Sequence, residues 1–434
     1  MASRVKSAAF ALLLGLGFAY PAAAGASPLQ QSVETAKALI LSGRTAEAQR
    51  LLEQLANDHP ASNDVAFLLG LLAVQATEYD TAVDQFRSIL VRNPASVRVR
   101  LELGRAFFLK RDYENAYRQF QFARAGKLAP GVGASIDRFV AAIRQQKSWS
   151  YDLSFAIAPD SNINNGTSSR ETELFGLPFE LSDDTRRKSG IGAMIDASVQ
   201  FAPQISERAR LRMGARLQRR EYRGHEFDDT AISVHAGPRL VLRGWDLSLL
   251  ATGFRRQLGG ERFSEGFGAR IEAMHYRGAR TAISLGASAQ QVRYADHRFQ
   301  DGRVLSLWGG AVRALTPASS VTARLGVSRK TARTPELASW SGWVAAGSSR
   351  DFPGGFSVHV EPSYATSRYD ATDPFFEQRR KDRLLELHVA ILNRTIVFER
   401  FTPRVAVTFA RRNSTLDLYD FSQRRLEIGV TSSF

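Results

Sequence analysis

An alternation of apolar and polar residues that begins at Trp149 and runs to Phe434 constrains this chain most. From Ile191 to Phe201, for example, every second residue is apolar or small, which places alternate side chains on opposite faces of a strand. About fourteen such segments occur, roughly 20 residues apart, whereas turns in soluble sandwiches recur every 8–12 residues. Long amphipathic strands, even in number, are typical of bacterial outer-membrane barrels. We therefore predict an all-β transmembrane barrel of about 14 antiparallel strands, with a soluble β-domain as the alternative.

A different period, of 34 residues, marks the region from residue 30 to residue 145. Three sets of positions keep this interval: Ala36, Gly70 and Gly104; Ala48, Ala82 and Ala116; Leu52, Phe86 and Phe120. Small residues let two antiparallel helices cross closely, and the large residue fills the groove to the next repeat. The pattern resembles the tetratricopeptide repeat and predicts α-helical repeats, with an unrelated amphipathic bundle as the alternative.

Arrays of this kind usually bind an extended peptide in a concave groove. By position in the repeat, seven residues are candidates for passenger binding: Asp64, Phe67, Leu71, Arg98, Leu101, Arg105 and Phe108. The competing interpretation, that these residues belong to the core or to a solvated face, has equal weight.

The N-terminus has the pattern of an export signal. Arg4 and Lys6 precede an apolar run from Ala8 to Tyr20, and small residues follow, so that cleavage after Ala24 or Ala26 is expected. The run is too short to span a ~30 Å hydrocarbon core as a helix. We therefore predict a signal peptide (residues 1–24), a periplasmic tetratricopeptide-repeat domain (27–147) and an outer-membrane barrel (149–434).

Composition excludes several classes of function. The chain has no cysteine, which rules out thiolate metal sites and cysteine nucleophiles, and its seven histidines are scattered, so we expect no metal and no cofactor. The net charge of +15 is spread without a long basic block, which argues against a nucleic-acid partner. One compact polar loop, from His225 to Asp229, is a candidate for catalysis, but a solvated acidic loop is the better interpretation. We therefore predict that the protein is not an enzyme.

Five arginines share the strand face opposite Leu211 and Leu217: Arg208, Arg210, Arg212, Arg216 and Arg220. An arginine facing lipid near the midplane would cost ~2–4 kcal/mol, so we predict that these arginines face the lumen. Pairing with acidic residues across the lumen is the favoured interpretation, and a surface that handles an anionic or polar passenger is the alternative.

The first predicted strand ends in a polar motif: Asp160, Ser161, Asn162, Ile163 and Asn164. Asp and Asn side chains close turns and hold loop backbone, and we favour this structural role over passenger contact. At the other end of the barrel sequence, Gly429 and the terminal Phe434 look like the signal that the barrel-assembly machinery reads.

The export signal, the repeats, the polar motif and the barrel together resemble the surface lipoprotein assembly modulator family (Slam). The resemblance implies an outer-membrane translocon or assembly factor that moves a surface lipoprotein or secreted protein across the outer membrane. The repeats would recruit the passenger or its periplasmic carrier or chaperone; membrane lipid and the barrel-assembly machinery would be further partners. An outer-membrane exopolysaccharide export channel with a periplasmic repeat domain is the alternative.

Overall fold

A computed structural model describes residues 27–433 except 147, 176, 184, 243, 397, 399 and 400. The predicted signal peptide and Phe434 lie outside the described residues. The chain divides into two compact units, one that ends at Leu72 and one that begins at Ala73.

Seven α-helices are described before the first strand: α1 (Pro28–Leu41), α2 (Thr45–Asp58), α3 (Asn63–Gln75), α4 (Tyr79–Arg92), α5 (Val97–Leu109), α6 (Tyr113–Arg124) and α7 (Val132–Gln146). Helix α1 begins with a capping box, in which Ser27 and Gln30 each accept a hydrogen bond from the other's backbone N–H, and Pro28 occupies the first turn. The prediction of helical repeats is confirmed. None of the described helices has the length and apolar character needed to cross a membrane.

In the first unit, α1 packs on α2, and Ala36, Ala48 and Leu52 are fully buried where the repeat predicts small and large residues. The second unit keeps the pattern. A Cβ at Gly104 of α5 would lie 3.0 Å from the ring of Phe120 on α6, so this ring occupies the space that the glycine leaves. Phe120 in turn stacks on Phe139 of α7 at 5.1 Å between ring centroids. The repeated glycine and phenylalanine therefore set the spacing between helices.

Sixteen strands are described after the helices: β1 (Trp149–Asp160), β2 (Glu171–Leu174), β3 (Leu177–Glu180), β4 (Gly190–Phe201), β5 (Ala209–Tyr222), β6 (Asp229–Leu242), β7 (Trp245–Leu258), β8 (Glu261–Arg277), β9 (Thr281–Tyr294), β10 (Gly302–Thr316), β11 (Ser319–Lys330), β12 (Ser339–Asp351), β13 (Phe356–Asp373), β14 (Gln378–Asn393), β15 (Thr402–Ser414) and β16 (Phe421–Ser433). Of these, β2 and β3 form a separate hairpin. The other fourteen form one closed antiparallel barrel in which β1 pairs with both β4 and β16. The predicted strand number is confirmed.

The outer face of the barrel is apolar. Large hydrophobic side chains that alternate along the strands stand exposed there, such as Ile191 (65%), Phe267 (63%) and Leu307 (60%). Their sequence neighbours point to the inner face, as the two-residue period requires. Such an apolar outer face is typical of a barrel embedded in lipid.

The two ends of the barrel differ in their connections. At the end where β1 begins and β16 ends, several turns are short, including 278–280 and 317–318. We call this end the helix-side mouth, because helices α4 to α6 contact it: the N–H of Gly354 donates to the carbonyl of Val91 at 2.7 Å. At the opposite end, residues 161–189 form a long loop that contains the β2–β3 hairpin.

Candidate functional site

The inner face of the barrel carries ion pairs. Arg212 on β5 donates to Glu272 on β8 at 2.6 Å, and it also contacts Ser248 on β7. Strands three places apart can be joined by one side-chain contact only across the concave side of a barrel. The Arg212 side chain therefore lies in the lumen, as do the side chains at every second position along β5 counted from Arg212.

Further pairs of this kind are Arg216–Asp196 (2.6 Å), Arg239–Asp246 (2.6 Å), Arg404–Glu427 (2.8 Å), Arg256–Asp229 (2.9 Å) and Arg324–Glu361 (2.5 Å). Four of these five pairs join adjacent strands, and Arg324–Glu361 joins strands two places apart, so these charges pair along the barrel wall, whereas Arg212–Glu272 reaches across three strands. The inner surface is thus polar, and many of its described arginines lie beside a carboxylate.

The other predicted arginines have different surroundings. Arg210 is buried and donates to the carbonyl of Ala202 at 2.8 Å. Arg208 precedes β5, and its carbonyl accepts from the N–H of Val241. Arg220 lies in β5 opposite Asp229 in the strand register.

Two histidines that appear scattered in the sequence are neighbours on the inner face. His388 contacts Thr408 at 3.1 Å and Arg404 at 3.2 Å, and its ring centroid lies 6.4 Å from that of His359. His359 contacts the hydroxyl of Ser349 at 2.8 Å. The alternation of residues in the sequence predicts that both histidines point to the inner face. It does not predict that they are neighbours, which depends on the register of β13 against β14, where Glu361 lies opposite His388.

At the helix-side mouth, the principal polar contact between helix and barrel joins Arg100 of α5 to Asp351, the last residue of β12. The two side chains lie 2.9 Å apart, with 2% and 14% of their surfaces exposed. Arg100 also donates to the carbonyl of Pro94 at 2.7 Å and to Gln119 at 2.8 Å, so its donors are largely satisfied. Asp351 accepts a further hydrogen bond from Ser357 at 2.7 Å.

A cavity of about 350 Å³ lies beside this pair. Its walls include Arg87, Arg100 and Arg118 of the helices and Arg394 of the barrel. Burial lowers the pKa of the Arg118 guanidinium, and the positive charge of Arg394 lowers it further; burial likewise lowers the pKa of Arg87. Burial therefore disfavours the charge of these two arginines, in a cavity that is also lined by Asp80, Asp84, Asp112 and Asp351.

The polar motif after β1 is tied to the last strand and to the long loop. Asn162 is fully buried; its amide donates to the carbonyls of Gly166 at 2.8 Å and Ser422 at 3.1 Å. Gln423 of β16 donates to Asp160 at 2.8 Å and to the carbonyl of Asn162 at 3.0 Å. The motif thus fastens the closing seam between β1 and β16.

The rest of the motif holds the loop. Ser161 exchanges hydrogen bonds with the backbone of Arg424, and Asn164 does so with the backbone of Arg186 and Lys188. The N–H of Ile163 donates to the carbonyl of Lys188. These contacts engage the motif side chains with the protein's own backbone.

The predicted groove residues divide between the two units. In the first unit, Phe67 and Leu71 of α3 are buried and Asp64 is exposed. In the second, Arg98 is exposed, Arg105 and Leu101 are partly buried, and Phe108 packs edge-on against Phe139 at 5.2 Å. Passenger binding by these residues stays a prediction.

At the end of β5 and in the loop that follows, the side-chain oxygen or nitrogen atoms of Glu221, His225 and Asp228 lie within 4.8 Å of one another. The carboxylate of Asp228 already accepts from the N–H of Tyr222 at 2.7 Å and contacts the ring of His225 at 3.1 Å. His225 has a positive φ of 63°. These contacts are those of a closed turn.

Comparison with known proteins places this geometry in a family. The sequence profile of the surface lipoprotein assembly modifier family matches residues 149–434, which is the barrel. The chain belongs to this family. A tetratricopeptide-repeat profile also matches residues 33–88 and 67–127, as the helical pattern predicts. As a surface lipoprotein assembly modifier with a closed transmembrane barrel, the protein resides in the outer membrane.

Curated members of the family are distant in sequence. The chain is 21% identical over 388 residues to a hemophilin secretion modulator of Acinetobacter baumannii, covering 85% of this chain and 78% of that protein. It is 25% identical over 203 residues to surface lipoprotein assembly modifier 1 of Neisseria meningitidis, covering 46% and 40% of the two chains. A bacterial polysaccharide outer-membrane secretin is similar with a TM-score of 0.33 at 11% identity, over 65% of this chain and 98% of that one, which is too weak a likeness to carry an argument.

In this modifier, Gly429 of the predicted assembly signal lies in the closing seam. A Cβ there would approach the carbonyl oxygen of Phe155 on β1 to 1.8 Å, so only glycine fits between these strands. This packing requirement is a reason for the glycine that is independent of any recognition by the assembly machinery, and recognition stays a prediction.

Proposed function

We propose that the protein moves a polypeptide passenger, either a surface lipoprotein or a secreted protein, across the outer membrane. The helical repeats lie in the periplasm and receive the passenger or its carrier. The polar lumen of the barrel provides the route outward. The protein acts as an assembly factor and not as an enzyme.

The observation that carries this proposal is the attachment of helices α4 to α6 to one mouth of a family barrel. Because Arg100 and Asp351 hold α5 at the rim, a passenger that enters from this side meets the helices before the lumen. The ion-paired side chains along the inner wall offer hydrogen-bonding groups to the backbone of an extended polypeptide. A path through lipid would offer none. The family match favours a polypeptide cargo over the polysaccharide alternative.

Transport is tested by protease accessibility. The full-length protein is co-expressed with a secreted or lipidated protein encoded beside it, and proteinase K is added to intact cells. We expect passenger exposure to fall to background in a strain that lacks the protein and to return with the wild-type gene. Equal exposure in the deletion strain would refute the proposal, provided that a periplasmic reporter remains protected in both strains.

Orientation is tested separately. Because the chain has no cysteine, single thiols can be introduced by Ala134→Cys on α7 and Ser168→Cys in the long loop. A membrane-impermeant maleimide should label the loop variant in intact cells and the helix variant only after the outer membrane is opened. Labelling of the helix variant in intact cells would contradict a periplasmic repeat domain.

A further inference from the structure

The cavity at the helix-side mouth brings together four guanidinium groups from four segments. Arg87 comes from α4, Arg100 from α5, Arg118 from α6 and Arg394 from the turn after β14. One carboxylate, that of Asp351, contacts two of them: it lies 2.9 Å from Arg100 and 3.8 Å from Arg394.

Within the described part of the chain, neither of the remaining two arginines forms an ion pair or hydrogen bond with a carboxylate, although nearby carboxylates favour their charged forms. Arg118 makes no hydrogen bond or ion pair there, and the guanidinium of Arg87 lies over the ring of Phe107 at 5.5 Å. Three further carboxylates line the cavity. Asp80 pairs with Lys110, and Asp112 caps α6 by accepting from Asn115. Asp84 lies one turn before Arg87 and favours the charged form of that arginine, but no ion pair joins the two side chains. The cavity thus differs from the lumen wall above it, where Arg212, for example, is matched to a carboxylate.

Unmatched and partly buried arginines are costly unless an anion reaches them. The cavity has room for such a group, and its lining includes the helix residues Val83 and Leu103 as well as Ser357, Leu392 and Thr431 at the strand ends. These three strand residues alternate with outward-facing ones, so this part of the cavity adjoins the lumen, while Phe352 and Phe356, which also line it, stand exposed at the rim. An extended polypeptide entering the barrel would pass the cavity on its lumen side, whereas a lipid headgroup would reach it only over the rim.

We propose that this cavity binds acidic side chains of an extended polypeptide at the entrance to the barrel, with Arg87 and Arg118 supplying the free donors. The inference rests on the proposed function and names the chemistry by which the passenger is held. Guanidinium and carboxylate form two parallel hydrogen bonds, so each arginine can take one acidic side chain. Arg100 stays occupied by Asp351 and keeps α5 in place.

Binding is measured with the purified full-length protein in a neutral maltoside detergent. The probe is a rhodamine-labelled dodecapeptide of alternating Glu and Ser, followed by fluorescence anisotropy; a peptide of alternating Gln and Ser is the uncharged comparison. The test variant combines Arg87→Gln with Arg118→Gln. The matched control is Arg92→Gln, which removes an exposed arginine from α4 outside the cavity. Heat-modifiable migration and circular dichroism check that every variant is folded.

We expect the acidic peptide to bind the wild-type protein and Arg92→Gln equally, and the double variant at least about tenfold more weakly, since one charge-assisted hydrogen bond accounts for about that factor. The Gln–Ser peptide should bind none of them. Equal affinity of the double variant and Arg92→Gln would overturn the inference. Binding of phosphatidylglycerol micelles or inorganic phosphate by the wild-type protein, without any binding of the acidic peptide, would also overturn it.

This test is independent of transport. If the double variant loses the peptide and also loses passenger exposure on cells, both proposals are supported. If deletion of the whole protein leaves exposure unchanged, the proposed function fails whatever the peptide result. If deletion abolishes exposure and the double variant binds peptide normally, the transport proposal stands and this inference falls.

Discussion

The ion pair between Arg100 and Asp351 predicts that Asp351, on the barrel rim, stabilises helix α5 in its position. We consider Asp351→Ala, which removes the carboxylate and leaves Arg100 with 2% of its side chain exposed. Breaking a buried ion pair from one side costs about 3–5 kcal/mol. Because Arg100 keeps its hydrogen bonds to Pro94 and Gln119, we expect the low end, about 3 kcal/mol.

The loss should be confined to the helices. All five tryptophans, Trp149, Trp245, Trp308, Trp340 and Trp343, lie in barrel strands, so their fluorescence follows the barrel while circular dichroism at 222 nm follows the helices. In detergent, Asp351→Ala should lower the urea midpoint of the dichroism transition by about 1.5 M, for a slope of about 2 kcal/mol/M. The fluorescence transition should stay in place.

The matched control is Asp370→Ala. Asp370 accepts two hydrogen bonds from Arg329 at 2.7 and 2.5 Å, but both residues belong to the barrel, away from the helix-side mouth. The control should leave the dichroism transition unchanged. If Asp351→Ala behaves like the control, or if Arg100→Met and Asp351→Ala add without coupling in a double-mutant cycle, this contact does not hold the helix to the rim.

Three further variants test other features. Burial raises the pKa of Glu102, although Arg105 lies 3.6 Å from its Oε2 and opposes the shift, so its ionisation destabilises the helices as pH rises from about 4.5 through the raised value. Glu102→Met should add about 1 kcal/mol to the free energy of unfolding at neutral pH and flatten this dependence in dichroism titrations. Asn162→Ala removes the hydrogen bonds of a buried amide and should cost the barrel about 3 kcal/mol by tryptophan fluorescence, with the exposed Ser168→Ala unchanged; equal midpoints would contradict its role in the seam. Leu285→Arg on the outer face should cost about 2–4 kcal/mol in phospholipid vesicles, and the inward Ser284→Arg much less, so similar losses would refute the assignment of faces.

The period of the sequence predicts much of this fold. Two-residue alternation after Trp149 gives strands, their faces and a number near fourteen, because lipid on one side and a polar lumen on the other impose the pattern along every strand. The interval of 34 residues gives the helices, because small and large residues must meet where helices cross, as Gly104 and Phe120 do between α5 and α6. The β2–β3 hairpin is not predicted, since its short strands lie in a long loop and serve neither face of the barrel.

Contacts between segments that are distant in the sequence cannot be predicted from its periodicity. Arg100 and Asp351 are 251 positions apart, and each is an ordinary surface residue by its local pattern. The one local sign is that Arg100 occupies a position of the repeat where a large aromatic residue is usual. Likewise, the arginines of the cavity come from four separate segments, and only the docking of helix on barrel brings their charges together.

Only residues 147 and 148 lie between the end of α7 and the start of β1. Even fully extended, so brief a tether reaches little more than about 10 Å. If the ion pair between Arg100 and Asp351 broke, α7 would remain covalently connected to β1. The helices would then dock again on the barrel rim at the high effective concentration of an intramolecular reaction. The contact between helices and barrel would then open and close repeatedly while the helices stay beside the pore.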